Sequence, residues 1–382
     1  MRFIRRLPIH RRVVNHPSMR STYVETTGQE RIVEYVDNVQ LIDLLKTPGC
    51  VQTWSFHGRI SSAKVGKILY KSMVPFRGTP TADVGAFLET CHSAGFSPSS
   101  FSDAYHRLFP NHRRTSGLKS VNAWTAYFCA GGWETAIEHG LVKEHLYKYD
   151  LNSAYAWAAS TAGLPDMAHI RPARKLNGLN SVTLCEFLFE NCLAPYPFQT
   201  GWNRNIISGS EFAVYHPNIR RVVAAAEWEK TVDLRPNIEM IFQLFPRDIA
   251  KKILRSFWGR WMSREPVTCQ TYRGGKLQKT WTLPTRDFNP LWAHLIISRV
   301  KLKVWQTALA CGAVHIFVDS IIGRKCLQVG DQIGDWKFVE SYQKGLDVQA
   351  PGRYISLETG AYIKQAGLRL KLFEEVQHGQ GE

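Results

Sequence analysis

The sequence predicts an α+β fold, and three observations carry that expectation. Short runs with strand-like alternation are mixed with longer helical runs, without the regular βαβ order of a doubly wound parallel sheet. Hydrophobic residues make up 44% and charged residues 21% of the 382-residue chain, enough for a core and incompatible with wholesale disorder. No internal repeat or low-complexity segment appears, which excludes solenoids and arrays.

The elements follow in chain order. The first 20 residues contain no Asp or Glu but carry Arg2, Arg5, Arg6, Arg11, Arg12 and Arg20. Pro8 and Pro17 spoil an amphipathic targeting helix, so a basic arm that touches phosphate or stays solvated is expected rather than a mitochondrial presequence. Residues 31–46 (Ile32, Val36, Val39, Leu41, Ile42, Leu44, Leu45) and 82–109 read as mainly helical, and 112–117 as a basic boundary loop. Residues 145–150 alternate like a half-buried strand. Residues 153–162 favour helix and are closed by Gly163 and Pro165. Residues 182–190 and 205–227 offer strands, 247–261 and 291–311 helices, and 314–318 with 320–323 two β runs around a tight turn.

Charge narrows the function. Lys and Arg number 48 against 32 Asp and Glu, a net +16, which points to a polyanionic partner such as nucleic acid. Thirteen Lys/Arg lie between Arg247 and Lys303 against Asp248, Glu265 and Asp287, interleaved with Phe257, Trp258, Trp261, Tyr272, Trp281, Phe288 and Trp292. This is the preferred stretch for gripping a strand. The eight cysteines have no zinc spacing and read as buried thiols in a reducing compartment. No apolar run reaches the roughly 20 residues of a membrane-spanning helix. Motifs of nucleotide switches, dinucleotide folds, zinc proteases and serine hydrolases are all absent.

Three constellations carry chemistry, each with a plain alternative. Asp150 ends a strand just before a helix opened by Ser153, where it suits a divalent metal and a triphosphate or simply caps the helix. Asp319 sits at the tip of an apolar hairpin, as a charged-site residue or a turn former. On the 247–261 helix, Arg247, Lys251, Arg255 and Trp258 fall within an arc of roughly 80°, a stripe for a triphosphate and its base or a solvated basic face.

Taken in order, these segments resemble the family B DNA polymerases, particularly the protein-primed branch of phages and linear plasmids. Asp150-Leu151-Asn152-Ser153-Ala154-Tyr155 is similar to motif A (D-x-x-S-L-Y-P), with Ala154 for Leu and Ala156 for Pro. Lys251–Gly259 resembles motif B (K-x-x-x-N-S-x-Y-G), with Arg255 for Asn and Trp258 for Tyr. Phe317-Val318-Asp319-Ser320 resembles motif C (D-T-D-S), with Phe317 in place of the first acid. Gly131-Gly132 is similar to the Gly pair of Y-x-G-G, and Gly352-Arg353-Tyr354 to K-x-Y. The likeness covers about residues 120–370.

The resemblance implies a palm of antiparallel sheet with packed helices, helical fingers and a small thumb. It implies boundaries of 1–120 for a mostly helical N-terminal region with its basic arm, 121–245 for palm with motif A, 246–262 for the fingers helix, 263–345 for palm with motif C, and 346–382 for a thumb-like end. It implies two Mg²⁺, with Mn²⁺ as substitute, on Asp150, Asp319 and the Leu151 carbonyl. The nucleotide would lie on Ser153, Ala154, Tyr155, Arg247, Lys251, Arg255 and Trp258, with Tyr155 as the gate against a 2′-hydroxyl. DNA would meet Gly131, Gly132, Arg299, Arg353 and Tyr354. No Asp-x-Glu pair occurs, so no proofreading exonuclease is expected. Residues 263–290 would form a hairpin gripping template or displaced strand. Expected partners are primer/template DNA, dNTPs and a priming terminal protein or other replication proteins, in a host cytoplasm and away from membranes. Phe317 and Arg255 favour the alternative of a catalytically degenerate DNA-binding subunit, and the basic arm leaves open a primase-like polymerase that starts strands unaided.

Overall fold

In the computed structural model of the protein, the described residues are 14–16, 20–27, 29–36, 38–46, 48, 50–56, 59–65, 68–76, 78–109, 121, 125–126, 134–174, 178–188, 203–262, 264–269, 279–284 and 288–364. The expected boundary loop at 112–117, the Gly131-Gly132 pair, and Arg2, Arg5, Arg6, Arg11 and Arg12 lie outside them. The chain divides into two compact units. The first comprises residues 1–126, 166–168 and 232–293, and the second 127–165, 169–231 and 294–382.

The first unit opens with β1 (Val14–His16), β2 (Arg20–Thr27), β3 (Gln29–Val36), α1 (Asn38–Leu45), β4 (Cys50–Phe56), β5 (Arg59–Val65) and β6 (Ile68–Ser72). The six strands make one sheet in the order β1-β2-β3-β6-β5-β4, antiparallel throughout except for the parallel β3–β6 pair. This corrects the expectation of a mostly helical N-terminal region. Residues 29–36 pair on both sides and carry the β-branched Ile32, Val33 and Val36, which confines the helix to Asn38–Leu45.

Two helices follow as expected, α2 (Thr81–Ser93) and α3 (Phe101–Leu108), the latter capped by Ser100 accepting from the Asp103 N–H. In the second unit come β7 (Glu134–Ala136), β8 (Gly140–Val142), β9 (Leu146–Leu151), α4 (Ala154–Thr161), β10 (Leu164–Pro165), β11 (Ile170–Ala173), β12 (Ser181–Leu188), β13 (Asn203–Ser208), α5 (Gly209–Tyr215) and β14 (Asn218–Trp228). The strands expected across 205–227 are thus interrupted by α5, which is nucleated by a capping box between Ser208 and Glu211.

Next are β15 (Thr231–Val232), α6 (Arg235–Leu244), α7 (Arg247–Trp261), β16 (Arg264–Cys269), β17 (Lys279–Pro284) and α8 (Pro290–Cys311). The chain ends in β18 (Ala313–Phe317), β19 (Ser320–Gly323), β20 (Trp336–Tyr342), β21 (Leu346–Ala350), β22 (Arg353–Ser356) and β23 (Tyr362–Lys364). β16 and β17 pair antiparallel, as expected for a hairpin within 263–290.

Aromatic packing builds the first unit. Phe76, Phe87 and Phe101 meet edge-on or tilted, Phe87 also meets Phe245, and Tyr105, Phe257, Trp261 and Trp292 continue the cluster. This seats α7 against α3, where His106 Nε2 meets the Phe257 carbonyl at 3.0 Å. Asp103, 1% exposed, ties the pair further by accepting from Arg107 at 2.7 Å and Arg260 at 3.3 Å. Burial alone would raise its pKa, but Arg107, Arg260 and the Ser99 N–H hold it below the usual carboxylate range. The opposite side of α7 carries exposed Arg247 and Arg255 and half-buried Lys251 and Trp258.

The second unit holds two sheets that share a core. One is five-stranded in the order β20-β9-β19-β18-β7, the other four-stranded in the order β23-β22-β21-β8. Val142, Leu146, Val314, Ile322, Tyr342, Leu346, Val348 and Tyr354 pack as one cluster drawn from both. A further four-stranded sheet, β11-β14-β12-β13, covers the 169–231 stretch. Among the described residues, no helix is long and apolar enough to cross a membrane.

Replacing Asp103 by Asn is expected to lower stability by about 2–3 kcal/mol, because two guanidinium groups lose their shared anion. The carboxylate's pKa is depressed on folding, so its contribution is present above pH 3.8 and lost as the pH falls below it. Urea unfolding of both proteins from pH 7 downward checks the difference and its disappearance in acid.

Candidate active site

The site grows from the pairing of β9 with β19. In β9 the side chains alternate, and Asp150 is the last of the set that includes Leu146 and Lys148. β18 and β19 are joined by the two residues Val318 and Asp319, with Phe317 opposite Ser320. Val318 takes φ +57°, an uncommon backbone for a β-branched residue and one that two-residue hairpins require at their first loop position. Ser320 stands opposite Asp150, and the Leu151 N–H donates to the Asp319 carbonyl at 2.9 Å. Asp150 on β9 and Asp319 in the turn before β19, 169 positions apart (319 minus 150), are therefore brought close along the chain's backbone.

Cross-strand partners share a face, so the register defines a row across the sheet: Lys337, Asp150, Ser320, Phe317, Glu134. Ser320 Oγ donates to Asp150 Oδ1. Asp150 does not cap the helix behind it. Ser153 occupies the N-cap position, with φ +51° and no side-chain cap bond. Phe317, where the resemblance expects an acid, lies beside Glu134, whose Oε2 is buried without a hydrogen-bond partner and whose pKa burial pushes up.

The turn after Asp150 is clasped by the segment 331–335. Asn152 Nδ2 donates to the carbonyls of Asp331 (2.8 Å) and Gln332 (2.9 Å), its N–H donates to the Asp335 carbonyl (2.9 Å), and the Gly334 N–H donates to the Asn152 carbonyl (2.8 Å). Gly334 has φ +88°, and a Cβ there would lie 2.1 Å from Trp157 Cδ1. Trp157 is in turn flanked by the guanidinium of Arg299 at 5.3 Å and the ammonium of Lys303 at 4.5 Å, and Lys303 donates to the Gly334 carbonyl. Desolvation lowers the pKa of both cations. Sequence reasoning missed Asn152, Trp157, Lys303, Ser320 and Gly334. The signal was the Gly330–Gly334 spacing next to an apolar strand, which fits a turn that presses against something.

The remaining predicted residues are distributed as follows. Ala154 is buried at the start of α4, with Tyr155 half-buried beside it. Arg353 is half-buried in β22. Tyr354, expected on the primer strand, is 0% exposed and belongs to the core, its hydroxyl 3.2 Å from Lys148 Nζ and 3.3 Å from the Tyr342 hydroxyl. That is a correction: the ring is enclosed by both sheets and presents no face to a strand. His315 lies against Tyr354 and accepts from the Gly352 N–H at 2.9 Å. Burial, with the charge of Lys148, holds its imidazole down to about 4. Arg247, Lys251, Arg255 and Trp258 lie on α7 of the first unit, whereas Asp150, Asp319, Ser153, Ala154, Tyr155 and Arg353 belong to the second.

As a metal site, the arrangement offers hard oxygens only. Among the described residues there is no cluster of three or more His, Cys, Asp or Glu, which disfavours a closed zinc-type cage.

The fold is similar to that of solved DNA polymerase structures. No known family profile and no curated protein matches the sequence. Among solved structures, the chain is similar to Phi29 DNA polymerase complexed with primer-template DNA, at TM-score 0.63 and 12% identity, covering 94% of this chain and 90% of that one. It is similar also to the ternary complex of that polymerase with primer-template DNA and incoming nucleotide substrates (TM-score 0.60, 12% identity, 89% and 84% covered) and to its complex with single-stranded DNA (TM-score 0.57, 12% identity, 89% and 84% covered). At that identity, the likeness is one of fold.

Gly334→Ala is expected to cost about 3 kcal/mol, since its Cβ meets a packed indole as well as a left-handed backbone. Gly360→Ala, at φ +68° with nothing within 4 Å, should lose only about 1–2 kcal/mol. Chemical denaturation of the two variants side by side measures the gap.

Proposed function

We propose that the protein is a template-directed DNA polymerase that transfers a nucleotide from a dNTP to a primer 3′-hydroxyl and lacks proofreading. The observation that carries this reading is the placement of Asp150 on β9 and of Asp319 in the turn that leads into the neighbouring β19, within a chain that matches a DNA polymerase fold over 94% of its length. In this reading the five-stranded sheet is the palm, α7 belongs to the fingers, and residues 346–364 belong to a small thumb.

Asp150, Asp319 and the Leu151 carbonyl would hold two Mg²⁺. When bound, such a pair lowers the pKa of the primer hydroxyl and neutralises charge on the triphosphate. The chain's own residues do the rest. Ser320 fixes one oxygen of Asp150, so the other is left to face a cation. The resemblance assigns the triphosphate to Arg247 and Lys251 and the base to Arg255 and Trp258, all on α7 of the first unit. Ser153, Ala154 and Tyr155 line the sugar, with Tyr155 excluding a 2′-hydroxyl. Arg299 and Arg353 with the Gly131-Gly132 segment meet the DNA backbone. A priming terminal protein and a host cytoplasm belong to the same reading.

A second reading, a DNA-binding subunit that has lost catalysis, is favoured by Phe317, which puts a phenyl ring where the resemblance expects a carboxylate. The two differ in one assay. In primer extension with Mg²⁺, the wild type should incorporate dNTPs, and Asp150→Asn or Asp319→Asn should slow it at least about a hundredfold, since each removes several kcal/mol of charge stabilisation. Equal incorporation by all three proteins overturns the polymerase reading. DNA binding with steep salt dependence and no incorporation supports the second reading. Tyr155→Ala should raise ribonucleotide incorporation relative to deoxyribonucleotide, and unchanged discrimination removes Tyr155 from the gate.

A further inference from the structure

Lys148 lies two residues before Asp150 on β9 and therefore on the same face, about 7 Å along the strand. It is 9% exposed. Its ammonium donates to Glu340 Oε1 at 2.9 Å and to the Tyr354 hydroxyl at 3.2 Å, and it stands 5.9 Å from the centre of the Tyr354 ring. Tyr354 is held by Tyr342, and both are core residues.

Two features separate this cluster from ordinary packing. First, β20 delivers Glu340 through an irregularity. Phe338 pairs with Tyr149 and Glu340 with Lys148, so Val339 is an extra residue between them. In an unbroken ladder Val339 would stand opposite Lys148, and the acid would be directed elsewhere. Bulges of this kind re-aim side chains beside active sites. Second, stability does not account for the choice of residues. Glu340 is 43% exposed, and an ion pair open to solvent on one side contributes little stability by itself. A lysine that is buried, paired through a bulge and tied to a tyrosine 206 positions later in the chain fits a role in fixing position.

We infer that Lys148, Glu340 and Tyr354 form a positioning set for Asp150: they lock β9 against β20 and β22, so the carboxylate is held where a divalent cation binds. The inference rests on the polymerase reading. It also reassigns Tyr354, which the resemblance places at the primer, to an internal partner of the motif A strand. None of the three is a catalytic residue; they act through Asp150.

The test uses the full chain with Lys148→Met, Lys148→Arg and Tyr354→Phe, the last removing one hydroxyl from an otherwise intact core. Mn²⁺ binding is read directly by electron paramagnetic resonance, alongside primer extension, the Kd for primer/template and thermal unfolding. Lys148→Met and Tyr354→Phe should weaken Mn²⁺ binding about tenfold, the size typical for loss of an outer partner of a metal ligand. They should lower kcat while KM for dNTP and the DNA Kd stay near wild type, and Lys148→Arg should recover most of the loss. Unchanged Mn²⁺ affinity in both variants overturns the inference. So does a raised DNA Kd with normal Mn²⁺ binding in Tyr354→Phe, which would return the tyrosine to the primer. If Lys148→Met fails to fold, Tyr354→Phe decides alone. A wild type that neither binds Mn²⁺ nor extends a primer overturns the polymerase reading and this inference together, whereas an active wild type with indifferent variants overturns the inference only.

Discussion

The hydrogen bond from the Leu151 N–H to the Asp319 carbonyl, one rung of the β9–β19 ladder, is the constraint on which the site depends. Side chains on a strand alternate faces, so a slip of one residue would turn Asp150 to the opposite side of the sheet and replace it with Tyr149 or Leu151. The two-residue connection between β18 and β19 removes most of that freedom. It fixes Phe317 opposite Ser320, and the Ser320–Asp150 pairing carries the same register onto β9. Val318 accepts a backbone conformation that its branched side chain disfavours, and the turn is short because of it.

Around this rung, polar contacts are layered by distance from the acids. Ser320 touches Asp150 itself. Asn152 and the 331–335 segment hold the turn that follows. Lys148 and Glu340 hold the strand that precedes it. The outermost member, His315, has its pKa pushed down by burial and the charge of Lys148, and accepts the Gly352 N–H. The charge that is buried here, on Lys148, is paired with Glu340, as the high cost of burying an unpaired ion requires.

Much of this was legible in the sequence where the signal is local. The motif A strand, turn and helix, the β18–β19 hairpin, α7 and α8 were all read within a residue or two, because periodicity, turn residues and helix stops are short-range properties. The N-terminal region was not. Residues 29–36 have apolar spacing that suits either helix or strand, and the parallel partner that settles the matter, Ile68–Ser72, lies more than thirty residues away. Tyr354 failed for a similar reason. Its burial depends on Lys148, 206 positions earlier, and on a bulge that no local pattern announces. Asp150 and Asp319 could be singled out from the sequence, but the groups packed around them could not.

The clasp around Asn152 has one more consequence. The contacts it makes with 331–335 run to main-chain atoms: three carbonyls accept and one N–H donates. Gly334 is confined by Trp157, and Asp335 by its bond to the Gln332 N–H, whereas the Asn152 amide is held by the carbonyls of Asp331 and Gln332. The segment is thus a natural place to graft a short tag or a fluorescent reporter, provided its length is conserved, and a dye there would sit within one loop of the acids and register any shift of the turn that follows Asp150.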